Sequence, residues 1–378
     1  MEDKAVPVPM LSAEVQKRIG ELWALKDATF HLIKHSENHT YLIKEGDSED
    51  AKRHILRLTP HDHRSQAAVE AELEFTLLVD AAIQPKTLST VRICRPIPLV
   101  APSSNRYLAI TKAYADKGDE REWYTVLFEH AEGRGCVDKW LGLHNEGIIE
   151  AWGRSLGQMH QAIAIKGGDA GRWDAMSKQI PTWDETHLGA ATIEKIRTRA
   201  KEGVDTAQML VKAWEEKLNP FLTSLGEQKP TLYGVVHGDL NVSNFWAETL
   251  KEGDHKERIW VFDFDQTQRN WFGFELGLVL NMVAFFNDIK WGDGFDGEKF
   301  KEVFLKAYAQ SYPPMVEAGH LEPHMLKGWE LQREFFEAAV ASDVLYQVEK
   351  DGRHYEDSIT SFCRIIVERF RKKAGGQA

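Results

Sequence analysis

The tightest constraint on this chain is a pair of strand ends that each deliver a carboxylate. Val235-Val236 runs into His237-Gly238-Asp239, and Asn244 follows that aspartate by five positions. A second apolar run, Ile259-Trp260-Val261-Phe262, ends on Asp263. Short apolar runs bounded by turn residues read as buried strands. Two carboxylates and an amide at such ends suit a hard divalent cation together with a base. Mg2+ takes few protein oxygens and keeps the rest of its shell for phosphate and water. Phosphoryl transfer asks for little more: an oriented hydroxyl, neutralised charge and a clamp on the phosphates.

The elements around these strands fall into two textures. Leu11 to Leu25 reads as a helix capped by Ser12, and Thr40 to Lys44 with His54 to Leu58 as paired strands across a polar turn. Gln66 to Ala82 carries Ala68, Leu73, Leu77 and Leu78 at helical spacing. Two further strands are predicted over Arg106 to Lys112 and Trp123 to Phe128. After Gly133 helices dominate: Ile148 to Ala164, two runs within Thr192 to Leu225 broken near Gly203 and Pro220, and most of Glu275 to Phe370. The boundary is placed at Glu132-Gly133, giving lobes 1–132 and 133–378.

Composition sets outer limits. The 378 residues hold 47 Lys+Arg against 58 Asp+Glu, a net charge of −11, which argues against sequence-independent nucleic-acid binding. Cys94, Cys136 and Cys363 are far apart, so neither a disulfide framework nor a thiolate zinc site is expected. The longest apolar stretch, Leu276 to Phe286, is too short to span a bilayer, and the start lacks a signal-peptide pattern. A cytoplasmic protein without membrane association is the expectation; the oligomeric state is left open. His31, His35 and His39 share helical spacing, but the strand that follows breaks it and argues against a metal site.

The string from His237 to Asn244, coupled to apolar-Asp263-Phe264-Asp265, resembles the aminoglycoside phosphotransferase family, which includes choline-kinase-like and stress-response kinases. It is a relative of the catalytic-loop and D-F-G signatures of protein kinases. The resemblance implies a protein-kinase-like α+β fold, with a small β-rich N-lobe and a larger helical C-lobe. It implies ATP and Mg2+ as cofactors. Asp239 would act on the acceptor hydroxyl, while Asn244 and Asp263 would hold the metal. Arg57 would clamp the α- and β-phosphates in place of the usual Lys, with Glu72 as its ion-pair partner. Ser36 and Asn38 fall in the loop that covers the phosphates, and Glu129 and Ala131 in the hinge that meets adenine. His237 would fix the loop through hydrogen bonds.

Three departures from the family pattern stand out. The covering loop has no Gly, Arg57 presents a planar fork where a point charge is usual, and Glu275 replaces the Asp that braces the catalytic loop. Asp265 reads as an exposed strand-end carboxylate ahead of a second metal ligand. Trp183 and Trp271 are candidates for an aromatic acceptor wall, with core packing as the competing reading. The stretch 317–357 holds ten acids against four bases, which hints at a cationic acceptor. The expected activity is γ-phosphoryl transfer to a hydroxyl of a small amine-bearing molecule. A protein Ser/Thr kinase and a nucleotide-binding pseudokinase scaffold are the alternatives.

Overall fold

The computed structural model describes residues 11–35, 38–48, 50–83, 89–100, 105–113, 121–136, 144–186, 188–251, 256–289, 295–351 and 357–374. Helix α1 (Ala13–Trp23) opens the chain, with the Ser12 hydroxyl accepting from the Val15 N–H at 3.3 Å. Strands β1 (Ala28–His35), β2 (His39–Glu45) and β3 (Lys52–Pro60) follow. Helix α2 (Gln66–Ala82), β4 (Val91–Ile93), β5 (Ala109–Thr111) and β6 (Trp123–Glu129) complete the N-terminal part. The order β1-β2-β3-β6-β5 forms an antiparallel sheet whose core includes Tyr41, Ile43, Leu56, Leu58, Trp123 and Leu127.

Strand β1 has no counterpart among the sequence expectations. It lies at the sheet edge, and most of its outer half is exposed, so its alternation of apolar and polar residues fades after Leu32. Strand β4 departs from a simple division at the hinge. It runs parallel to β10 (Glu257–Val261), in a second sheet of order β4-β10-β9-β7 with β9 (Phe245–Thr249) and β7 (Arg134–Gly135). Helix α2 also buries Phe75, Leu78 and Val79 in the larger core.

The C-terminal part is helical around two short strands. Helix α3 (Glu146–Ile165) is capped by Asn145 and buries Trp152, Leu156 and Met159. Helices α4 (Ala170–Ser177), α5 (Ala190–Lys201) and α6 (Asp205–Ala213) follow. Beyond them the chain passes through a π turn at Trp214–Leu218 into α7 (Asn219–Ser224). The expected break near Pro220 is therefore absent: this proline falls in the first turn of α7, where a missing N–H costs little, and the wider π turn precedes it. Strand β8 (Tyr233–Val236) pairs antiparallel with β11 (Gln268–Trp271). Helices α8 (Phe272–Asp288), α9 (Gly297–Ser311), α10 (Pro314–Glu317), α11 (Pro323–Asp351) and α12 (Asp357–Ala374) close the fold.

Trp152, Phe245, Phe272, Phe300, Phe304 and Trp329 are all under 2% exposed in the main core. Each such burial contributes roughly 1.5–3 kcal/mol. That core carries β8 and β10, so the strand ends that lead to Asp239 and Asp263 project from rigid supports. Among the described residues no helix is long and apolar enough to cross a membrane.

Candidate active site

The loop after β8 is pinned from three directions. Gly238 has φ +83°, and a Cβ there would lie 2.1 Å from the Gln266 carbonyl oxygen, so only glycine fits this turn. Its N–H donates to Glu275 Oε1 at 3.0 Å. Glu275, 2% exposed on α8, also accepts from His160 Nε2 at 2.8 Å. His160 Nδ1 lies 2.8 Å from the Tyr308 hydroxyl, and its ring stacks on Phe272 at 4.2 Å. Burial, with Tyr312 and Glu275 adding, pushes the Tyr308 phenol well above its ordinary range. It therefore remains a neutral hydroxyl beside the imidazole.

His237 ties the two motifs together. Its Nε2 donates to the Phe262 carbonyl at 3.0 Å, and its Nδ1 accepts from the Asp239 N–H at 3.3 Å. Both nitrogens are occupied by backbone, which leaves the ring a structural part. Asp239 Oδ2 accepts from Asn241 and Asn244 Nδ2, each at 3.0 Å, and the Asn244 amide also donates to the Asp239 carbonyl at 2.8 Å. Asp239 Oδ1 accepts from Arg333 Nη2 at 3.1 Å. Arg333 sits on α11, and no motif in the sequence announces it.

Asp263 follows β10 with φ 64° and ψ 61°, a left-handed conformation rare outside glycine, asparagine and aspartate. Its Oδ1 lies 3.8 Å from Arg57 Nη1. Arg57 Nη2 pairs with Glu72 Oε1 at 2.7 Å, and Arg64 holds the other Glu72 oxygen. Glu72 meets Arg57, whereas its neighbours on α2 turn elsewhere: Glu74 pairs with Arg172 at 2.7 Å and Glu70 accepts from Gln66. Burial works against the Arg57 charge, but Glu72, Asp263 and Asp265 more than offset it and hold its pKa above the usual value.

Asp265 corrects the sequence reading. It is half-buried, and its Oδ2 accepts from Asn38 Nδ2 at 3.0 Å, while Asn38 Oδ1 accepts from the Thr59 hydroxyl at 2.7 Å. Burial and the facing Asp263 carboxylate push the Asp265 carboxyl up to about 7, against the pull of Arg57. Both ends of the Asn38 amide are thereby engaged, joining the covering loop to the Asp-Phe-Asp turn. Ser36 lies outside the described residues.

Arg57, Asn244, Asp263, Glu129 and Ala131 line one cavity of about 550 Å3. Ile33, Ile55, Phe128 and Phe262 supply apolar walls between the hinge and the charged end. The structure thus brings both metal candidates, the phosphate-clamp candidate and the hinge into one cleft, with Asp239 bonded to Asn244 at its margin. Trp271 is not an open wall: it is 3% exposed and packs edge-on to Tyr233 at 5.6 Å. Trp183 is half-buried against the core of α5 and α6. Among the described residues of 317–357, four acids pair with Lys or Arg, three of them with other helices and one within its own. Glu330 and Glu334 meet Lys373, Glu337 meets Arg333, and Asp343 meets Lys195 and Arg199.

Residues 11–316 match the sequence profile described as the phosphotransferase enzyme family. The chain belongs to that family. An amicoumacin kinase of Bacillus subtilis (strain 168) is 24% identical over 277 residues, covering 72% of this chain and 69% of its own. An amicoumacin kinase solved in complex with AMP-PNP, Ca2+ and Ami superposes with a TM-score of 0.63 at 19% identity, over 95% of this chain and 93% of its own. A Plasmodium vivax ethanolamine kinase superposes with a TM-score of 0.55 at 12% identity, over 92% and 82% of the two chains. The two-lobed kinase-like fold of this phosphotransferase is shared with these structures.

Proposed function

We propose that this phosphotransferase moves the γ-phosphoryl group of ATP to a hydroxyl of a small molecule, with Asp239 as the group that meets the acceptor. The observation that carries this reading is convergence: Arg57, Asn244 and Asp263 share one cavity with hinge residues Glu129 and Ala131. In this reading the hinge, which also marks the lobe boundary near Glu132-Gly133, meets the adenine edge, and the apolar walls clasp the ring.

Arg57 reaches the phosphates, fixed by Glu72 behind it. Asn244 and Asp263 offer an oxygen-only pair on the same wall, the donor chemistry that a hard divalent cation such as Mg2+ takes. The Asn244 amide nitrogen is committed to Asp239, so its oxygen is the end left for a cation. Bound there, the metal would neutralise charge on the transferring phosphoryl. Asp239, held on both oxygens, orients the attacking hydroxyl. Four acids of 317–357, Glu330, Glu334, Glu337 and Asp343, are ion-paired, so composition alone does not choose a cationic acceptor.

The test is Asp239→Asn in a panel of ATP consumption against amino alcohols, aminoglycosides, sugars and Ser/Thr peptides. Loss of turnover with nucleotide binding retained is expected; full turnover in Asp239→Asn overturns the reading. Peptide labelling above small-molecule labelling would move it to a protein kinase.

A further inference from the structure

The proposed chemistry assigns no role to Arg333, yet this side chain is closely held at the site. All three of its nitrogens are occupied. Nη2 donates to Asp239 Oδ1 at 3.1 Å, Nη1 to the Gly238 carbonyl at 3.3 Å, and Nε to Glu337 Oε1 at 2.8 Å. The guanidinium lies over Phe336 at 4.8 Å and Phe274 at 5.7 Å, and the side chain is 10% exposed.

Its anchor is itself anchored. Glu337 Oε2 accepts from Asn281 Nδ2 at 2.7 Å, Asn281 Oδ1 accepts from Arg369 Nη1 at 2.7 Å, and Arg369 Nε reaches Asp288 Oδ2 at 2.7 Å. A polar chain thus runs from the loop aspartate through α11 and α8 to α12.

We propose that Arg333 is a positioning residue for phosphoryl transfer, holding the Asp239 carboxylate in the orientation from which it meets the acceptor hydroxyl; this rests on the reading of Asp239 given above. The argument is one of geometry. Asn241 and Asn244 restrain Oδ2 from within the loop, and both move with the loop. Arg333 restrains Oδ1 from a separate helix and grips the adjoining Gly238 carbonyl with the other arm of the same fork. Rotation of the carboxylate about its Cβ–Cγ bond would break the Arg333 contact. A lysine presents one ammonium and cannot span two neighbouring acceptors and Glu337 at once. Ring contacts on Phe274 and Phe336 lock the fork in advance, so no reorganisation is needed as the hydroxyl arrives.

The experiment measures kcat and KM for ATP in the full chain, using the acceptor with the fastest wild-type ATP consumption, water included. Arg333→Ala should lower kcat on the order of 10²-fold, the cost of a misplaced reacting group, while KM for ATP changes by less than about twofold. Arg333→Lys should stay low despite its charge. Guanidinium ion supplied to Arg333→Ala at sub-denaturing concentration should recover part of kcat, and ammonium should not. Unchanged kcat, a loss confined to KM, or equal recovery by ammonium would overturn the proposal. Should Arg333→Ala fail to fold, Glu337→Gln loosens the anchor with Arg333 in place and should lower kcat several-fold at constant KM; unchanged kcat there counts against the proposal equally. Asp239→Asn in the same assay separates the two ideas. Turnover surviving in that variant removes the reading of Asp239, whereas an inactive Asp239→Asn beside a fully active Arg333→Ala removes only the role of Arg333.

Discussion

Glu275 Oε1 accepts the Gly238 N–H at 3.0 Å, so a carboxylate one methylene longer than the expected aspartate braces the loop that carries Asp239. The added length is used, because Oε2 of the same group accepts from His160 on α3. Shortening the arm in Glu275→Asp leaves one of these buried partners unmatched, which costs about 1–3 kcal/mol. The expected outcome is a lowered melting temperature together with about a tenfold fall in kcat, read by thermal denaturation and steady-state turnover. A Glu275→Asp variant as stable and active as wild type would show that the brace has slack.

The Arg57–Glu72 pair makes a prediction about acid. Burial raises the Glu72 pKa, but Arg57 and Arg64 more than offset this and hold the carboxyl below its ordinary value of 4.5. A carboxyl depressed on folding contributes stability that is complete above its unfolded pKa and is lost as pH falls through the folded value. Glu72→Gln strands two arginines and should cost about 3–5 kcal/mol at pH 7. The gap between wild type and Glu72→Gln should close as pH drops below about 4.5. Urea titrations at pH 7, 5 and 3.5 would follow it; a gap that widens in acid contradicts the assignment.

How much of this was legible beforehand follows from the range of each interaction. Asp239, Asn244 and Asp263 are strand-end residues on short apolar runs, and local patterning finds them. Arg57 and Glu72 lie on a strand and the helix that follows it, within one supersecondary unit. Arg333 contacts Asp239 across 94 positions, from the middle of a 29-residue helix with no unusual spacing, and nothing local marks it. Asp265 reads from sequence as an exposed strand end, yet it is half-buried and accepts from Asn38, 227 positions away. The backbone leaves the strand at Val261 and turns left-handed at Asp263, so Asp265 belongs to a turn folded back on the site and not to a strand end. The acidic stretch shows what a local count misses: its Glu334 and Asp343 pair with Lys373, Lys195 and Arg199, which lie on other helices.

The three thiols should be inert in the folded protein. Cys94, Cys136 and Cys363 are buried, and burial pushes each above its ordinary range, Cys136 up to about 12. Thiolate is the reactive form, so alkylation at pH 8 should be slow until denaturant is added. Cys94 lines the proposed nucleotide cavity, and saturating ATP should slow its labelling further than that of Cys363. Mass spectrometry of iodoacetamide adducts checks both statements. Rapid native labelling of Cys94 would mean that the cleft opens far more than this geometry allows.

The close approach of α8 and α11 links packing to the site. A Cβ on Gly277 would lie 2.1 Å from the Trp329 carbonyl oxygen, and one on Gly273 would enter the Trp329 indole. Glu275 stands between these glycines on α8, and Arg333 lies one turn beyond Trp329 on α11. In Gly277→Ala the two backbones must separate on the order of 1 Å to restore ordinary contact. Overpacking of this kind costs about 1–3 kcal/mol, more than the gain in helix propensity of about 1 kcal/mol returns. The same shift draws Arg333 away from Asp239, so kcat should fall by about 10- to 100-fold. KM for ATP should hold, since Arg57, Glu129 and Ala131 lie on other elements. Gly20→Ala is the control: a Cβ on Gly20 meets nothing within 4 Å in the middle of α1. It should raise the melting temperature slightly and leave turnover alone. Equal kinetics in the two alanine variants would show that the α8–α11 spacing does not govern the Asp239 loop.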